Sequence, residues 1–313
     1  MSSSGTIPAR PFGANGVAMV TPFTPDSAAL DLDAAQALAV HLVEHGVDML
    51  VLGGTTGESP TTSDEEKHAI VRAVREAVGD EPTILAGVGT NDTRHSIELA
   101  RASAELGVDG LLVVTPYYSK PSQEGIARHV EAIADATDAP VMLYDIPGRS
   151  GVPLALETIL RLAEHERILA LKDAKGDLAQ AAAVMAATDL AYYSGEDALN
   201  LPWMAIGASG IVSVVGQVAP ELETELIAAV DRSDLPLART LHTRLSPLVD
   251  AIMGMMPGVV AAKTALALQG VIPHAAVRGP LAPADEAQTR ALAAVLEAAE
   301  LSGGSTTTIR RKA

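Results

Sequence analysis

Cysteine is absent from this chain, so neither a disulfide framework nor a thiolate metal site can form, and redox chemistry through the chain's own sulfur is excluded. Long apolar runs are missing too. No window reaches the eighteen or so uninterrupted apolar residues of a bilayer-spanning helix, and the opening MSSSGTIPAR has one Arg and no apolar stretch of a secretory leader. The expectation is a soluble, cytoplasmic protein without a membrane partner. Positive charge is scarce: 22 Lys and Arg stand against 39 Asp and Glu, a formal charge of -17. Such a surface repels polyanions, so no nucleic-acid partner is expected. The one basic cluster, Arg310, Arg311 and Lys312, sits in a Gly/Ser/Thr-rich stretch read as a flexible tail over 303–313.

What is present is globular: 48% apolar and 19% charged residues in 313 positions. That length exceeds a (β/α)8 barrel of about 250 residues by one appended element. Short apolar or β-branched runs bounded by Gly, Pro and Asp alternate with longer Ala/Leu/Glu-rich segments of helical spacing. The runs are AMVTPF from Ala18, MLVLGG from Met49, TILAGVG from Thr83, LLVVTP from Leu111, VMLYDI from Val141, ILALKDA from Ile168, AYYSGED from Ala191 and GIVSVVG from Gly210. Their interiors are apolar on both faces, as strands between a barrel core and covering helices must be. Asp64, Glu65 and Glu66, and likewise Asn91 and Asp92, place acceptors at helix starts. Eight units between residues 18 and about 230 favour a closed barrel over an open doubly wound sheet. The expectation is an α/β chain: a (β/α)8 TIM barrel over 1–234 and a C-terminal three-helix extension over 235–302.

Catalytic groups in such barrels come from the C-terminal ends of the strands. Thr55 and Thr56 close the second run, Tyr117 and Tyr118 follow the fourth, Tyr144 and Arg149 the fifth, Lys172 the sixth, and Ser194, Gly195 and Glu196 the seventh. Lysines number only six, and five have bland surroundings: Lys67 on a polar helix turn, Lys120 in a loop, Lys175 beside Gly176, Lys263 in an amphipathic helix and Lys312 in the tail. Lys172 follows Ile168, Leu169, Ala170 and Leu171, in a setting where desolvation disfavours the ammonium. At an unperturbed pKa near 10.4, roughly one lysine in 2,500 is neutral at pH 7, and a pKa of about 7 to 8 would make a usable nucleophile. The bland alternative is a lysine that reaches solvent or pairs with Asp173.

Tyr144 is the candidate proton carrier, against the alternative of a core tyrosine bonded to a carbonyl. Arg149, in the turn DIPGRSG, suits a bidentate contact to a carboxylate, against the alternative of a solvated loop arginine. GGTTGES brings backbone amides close to an anion but lacks the lysine of a phosphate-cradling loop, so it reads as a carboxylate site. His41, Glu44 and His45 spell H-x-x-E-H. They fall on the first helix, away from the strand ends and without a third ligand, and no metal is expected.

GGTTGES, VTPYYSKPSQEG, LYDIPGRSG, LKDAKGD and YYSGEDALN stand in order and closely resemble the dihydrodipicolinate synthase family from about Ala18 to Gly279. The resemblance implies a lyase joining pyruvate to L-aspartate 4-semialdehyde through a lysine Schiff base, without a cofactor, in diaminopimelate and lysine biosynthesis. It implies Lys172 as the Schiff-base former and Tyr144 as proton relay, with Thr55 and Tyr118 completing the relay and Tyr118 reaching across from a neighbouring subunit. Thr56 would hold the pyruvate carboxylate, Arg149 the semialdehyde carboxylate, and the carbonyls of Gly195 and Val212 would line the pocket. A relay shared between subunits implies a homo-oligomer, and the family implies a homotetramer, a dimer of dimers.

N-acetylneuraminate lyase and 2-keto-3-deoxy sugar-acid aldolases share the lysine and the tyrosine, and a catalytically dead keto-acid sensor would share the pocket. The arginine after the Pro-Gly turn, the paired threonines and the double tyrosine favour the semialdehyde. Lysine-inhibited members of the family bind lysine with a set of His, Asn and Glu residues. The matching positions here carry Asp64, Lys67 and His95 beside Asn91 and Tyr117, so weak or absent feedback is expected.

Overall fold

In a computed structural model describing residues 9–301, eight strands close into one all-parallel barrel. In chain order they are β1 (Asn15–Ala18), β2 (Met49–Leu52), β3 (Thr83–Gly87), β4 (Gly110–Val114), β5 (Val141–Asp145), β6 (Ile168–Asp173), β7 (Ala191–Ser194) and β8 (Gly210–Ser213). The barrel helices are α1 (Leu32–Glu44), α2 (Asp64–Val78), α3 (Thr93–Glu105), α4 (Gln123–Ala134), the single turn α5 (Pro147–Ser150), α6 (Leu156–Leu162), α7 (Leu178–Ala187), α8 (Asn200–Ala205) and α9 (Pro220–Asp231). Three further helices follow: α10 (Leu235–Val249), continued by a π-helical turn over Asp250–Gly254, α11 (Gly258–Gln269) and α12 (Glu286–Ala298). The (β/α)8 barrel and the C-terminal helices read from the sequence are both there. The tail expected over 303–313 lies outside the described residues.

Two apolar populations explain why the runs looked hydrophobic on both faces. Successive strand side chains point to opposite sides. Met49, Val51, Leu85, Leu112, Met142, Tyr144, Ala170, Ala191, Tyr193 and Val212 fill the barrel, while Leu50, Leu52, Ile84, Leu111, Val113, Leu143, Leu171 and Ile211 pack outward under the helices. Apart from Leu169 near the start of β6, which is 37% exposed, the strand faces are largely shielded from water, so the pattern is continuous rather than alternating.

Two local readings are corrected. The first strand lies three residues earlier than the run AMVTPF suggested, over Asn15–Ala18, and Met19 to Phe23 form a buried loop above it. Gly16 lies within the strand, where a Cβ would come 2.7 Å from the carbonyl oxygen of Ile211 on β8. The acids at the start of α2 lie inside the helix: Ser63 is the N-cap, and its hydroxyl and the Glu66 carboxylate close a reciprocal capping box. Asp92 caps α3 as expected.

Candidate active site

Strands β5, β6 and β7 lie side by side, with Tyr144 opposite Lys172 and Lys172 opposite Tyr193 in register. The alternation that sends Ala170 inward sends Lys172 inward one step nearer the strand end, and sends Asp173 outward. The outward carboxylate is fully engaged: it accepts from the Tyr192 hydroxyl at 2.5 Å and from the amides of Lys175 at 2.7 Å and Gly176 at 3.2 Å. The alternative pairing of Lys172 with Asp173 is therefore excluded by strand geometry. Escape to solvent is excluded as well, since Lys172 is 4% exposed.

The Lys172 amine lies 4.2 Å from the centroid of the Tyr144 ring, and among the described residues it makes no ion pair. Burial pushes its pKa down to about 8, against the pull of the Asp197 carboxylate and with the help of the Arg149 guanidinium. At that value about one amine in ten is neutral at pH 7. Gly195 presses on the same side chain: a Cβ there would fall 2.9 Å from Cε of Lys172. Asp197, not singled out in the sequence, is buried and acts on Lys172 through its charge. It accepts from the Ser213 hydroxyl and from the amides of Val214 at 3.0 Å and Val215 at 3.2 Å. The two adjacent acids of SGEDALN were its only signal.

Low solvent exposure alone does not single out Lys172. Lys263, read as a bland residue of an amphipathic helix, is 0% exposed, and burial pushes its pKa down as well. Its nitrogen, however, is held by Glu58 at 2.5 Å and by the carbonyl of Ala276 at 2.7 Å. A lysine locked to a carboxylate stays an ammonium; an amine facing a phenol ring without a counter-ion is the available nucleophile.

Tyr144 is 5% exposed, and burial pushes its pKa up to about 12, with the Thr55 hydroxyl and the Arg149 guanidinium pulling the other way. The phenol is thus protonated at neutral pH and able to donate. Thr55 sits on the loop after β2. That loop packs so closely on β3 that a Cβ on Gly87 would lie 2.5 Å from the carbonyl oxygen of Gly53. Arg149 stands on α5, whose turn is fixed by the Arg149 amide donating to the Ile146 carbonyl at 2.9 Å.

Thr55, Tyr117, Tyr118, Tyr144, Ile146 and Arg149 share the wall of one cleft of about 400 Å³ at the strand ends. Of the candidate residues, Thr55, Tyr118, Tyr144 and Arg149 are brought together on that wall. Lys172 and Gly195 are not part of the wall; the Lys172 amine meets the cleft through Tyr144, whose ring centroid lies 4.2 Å away. Thr56 and Val212, 8% and 1% exposed, are buried and do not line the cleft. Tyr118 is 90% exposed, on a backbone with φ +71°, a conformation rarely adopted outside glycine. His41 on α1 and His45 at its C-cap lie with tilted rings, centroids 4.2 Å apart, and His45 faces Glu221 at 3.5 Å.

The side chains expected to bear on feedback by lysine are engaged with one another. His95 Nε2 lies 2.8 Å from Asp64, and the Lys67 ammonium lies 3.6 Å from Asp64 and donates to the Thr62 carbonyl at 2.8 Å.

The pattern of the Dihydrodipicolinate synthetase family matches residues 12–299. The 4-hydroxy-tetrahydrodipicolinate synthase of Kineococcus radiotolerans is 62% identical over 294 residues, covering 94% of this chain and 95% of that protein. A lysine-bound crystal structure of the synthase from Cyanidioschyzon merolae superposes with a TM-score of 0.91 at 40% identity, over 94% of this chain and all of that one. A crystal structure of the chloride-inhibited synthase from Acinetobacter baumannii, complexed with pyruvate, gives 0.88 at 36% identity, over 93% of this chain and 99% of that one. With the match spanning the barrel, the cleft and the C-terminal helices alike, this chain belongs to the dihydrodipicolinate synthetase family.

Proposed function

We propose that this chain condenses pyruvate with L-aspartate 4-semialdehyde, through an imine on Lys172, to give 4-hydroxy-tetrahydrodipicolinate on the route to diaminopimelate and lysine. The names of its relatives support the reaction, and the pyruvate described in the Acinetobacter structure supports the first substrate. One observation carries the assignment of the residue: a buried amine with no ion pair among the described residues, 4.2 Å from the centroid of the Tyr144 ring.

The neutral amine attacks the ketone carbon of pyruvate, and the carbinolamine loses its hydroxyl as water. The Tyr144 phenol supplies and recovers the protons of these steps, with Thr55 and Tyr118 passing them outward. Loss of a proton from the methyl carbon gives the enamine, whose carbon bonds to the aldehyde carbon while the aldehyde oxygen takes a proton. The amino group of the former semialdehyde then attacks the imine carbon, closes the ring as a cyclic imine and releases the Lys172 amine. One water is lost overall. Thr56 and the carbonyls of Gly195 and Val212 serve the pyruvate half, and Arg149 the second carboxylate. Tyr118, standing free of its own protomer, fits a relay completed by a neighbouring subunit, and the working form proposed is a cytoplasmic homotetramer.

Borohydride added with pyruvate should increase the intact mass by one reduced pyruvyl group, mapped to the peptide bearing Lys172. Turnover of the semialdehyde, coupled to reduction of the product, separates this reaction from that of the sugar-acid aldolases. A Lys172→Ala protein that still traps pyruvate would place the chemistry elsewhere.

A further inference from the structure

The loop that presents Thr55 and Thr56 ends at Glu58, a residue 3% exposed with φ +56°, again in the left-handed region. Its amide donates to the Thr55 carbonyl at 3.1 Å, and the Ser59 amide returns to the Gly54 carbonyl at 3.2 Å. Glu58 thus fixes the shape of the threonine loop from behind. Both of its carboxylate oxygens are taken by the C-terminal part of the chain. One accepts from Lys263 on α11 at 2.5 Å, the other from the amide of Arg278 at 2.9 Å.

The Lys263 side chain is 0% exposed and that of Glu58 1%, and 205 positions separate them. Phe23 belongs to the same assembly, its ring centroid 4.1 Å from the Lys263 nitrogen and 4.3 Å from the Arg278 guanidinium carbon. Arg278 also makes a bidentate contact with Glu66 of α2, at 2.7 Å to each oxygen. A buried ion pair is a poor stabiliser, because desolvation offsets most of the attraction; what it supplies is a fixed register. An apolar pair could hold α11 against the barrel, but it could not orient a carboxylate loop.

We infer that Lys263 is a positioning residue for the active site: through Glu58 it fixes the turn that sets the Thr55 hydroxyl against Tyr144, and it gives the C-terminal helices a part in catalysis. The inference rests on the reaction proposed above.

The test compares the full-length Lys263→Met protein and the double variant Glu58→Gln, Lys263→Met with the natural chain. The double variant removes both charges together, so no uncompensated charge is left buried. In folded protein we expect kcat to fall about a hundred-fold, since misplacing a reacting group by an ångström suffices for that. Amide hydrogen exchange should accelerate at residues 55–62 and stay unchanged elsewhere in the barrel. A folded variant with natural kcat overturns the inference. So does exchange that rises throughout the barrel, or a double variant that cannot fold, because either makes the pair a general folding element. If the natural chain fails to trap pyruvate, the proposed reaction falls, while the exchange measurement still reports on the tether.

Discussion

Gly195 lies against Lys172 so closely that a methyl group on it would come within 2.9 Å of Cε and within 3.0 Å of the carbonyl oxygen of Asp173. The first contact is with a flexible side chain, the second with strand backbone that cannot give way cheaply. Gly195→Ala is therefore expected to displace the amine from the Tyr144 ring and slow imine formation by about ten- to a hundred-fold. Rapid-quench trapping of pyruvate measures this; an unchanged rate would show that the lysine needs no such seat.

The lowered pKa of Lys172 sets a pH dependence. The rate of imine formation should climb with pH while the amine is largely protonated and level off above about 8. An ordinary lysine would keep gaining up to about 10.4. A trapping profile still rising at pH 9.5 would mean that burial does not tune the nucleophile.

The same shift is a stability cost. Burial favours the neutral amine in the folded state, so the unfolded chain binds the extra proton between the folded pKa of about 8 and the ordinary value of 10.5. Stability consequently rises with pH across that window, and below it the full cost, about 3 kcal/mol, is present. Lys172→Met, close in volume and uncharged, should melt several degrees higher at pH 7. The advantage should shrink as pH passes 8. A variant less stable than the natural chain at pH 7 would contradict this.

Tyr118 offers a complementation test. If it acts in a neighbour's site, Tyr118→Ala and Lys172→Ala are each nearly inactive. Dissociated, mixed and reassembled, they should regain up to about one working site in four, where an intact lysine meets an intact tyrosine. No recovery above either parent would return Tyr118 to its own protomer.

Feedback should be weak. The Asp64 carboxylate is already shared between His95 and Lys67, and a ligand ammonium would meet the Lys67 cation. Millimolar L-lysine should leave the coupled rate within about two-fold of its value without it. Strong inhibition would require these side chains to rearrange.

The barrel was legible in the sequence because the strands are almost wholly buried on both faces, leaving eight short apolar runs between helical ones. β1 was misplaced because Gly16 is dictated by the carbonyl of Ile211, a partner from the far end of the sheet. The cleft residues stood out as polar side chains at the ends of apolar runs. Asp197 did not, because its partners Ser213 and Val214 lie on a different strand and the loop after it.

Lys172 and Lys263 mark the boundary between the two kinds of information. An apolar run ending in lysine determines that an amine is carried to the rim of a barrel, because strand alternation is local. Whether a buried ammonium finds a carboxylate is decided by chain segments hundreds of residues apart: Glu58 meets Lys263, whereas among the described residues no acid forms an ion pair with Lys172. Coulombic pairing depends on distance in space, which only the closed barrel and the helices packed against it determine.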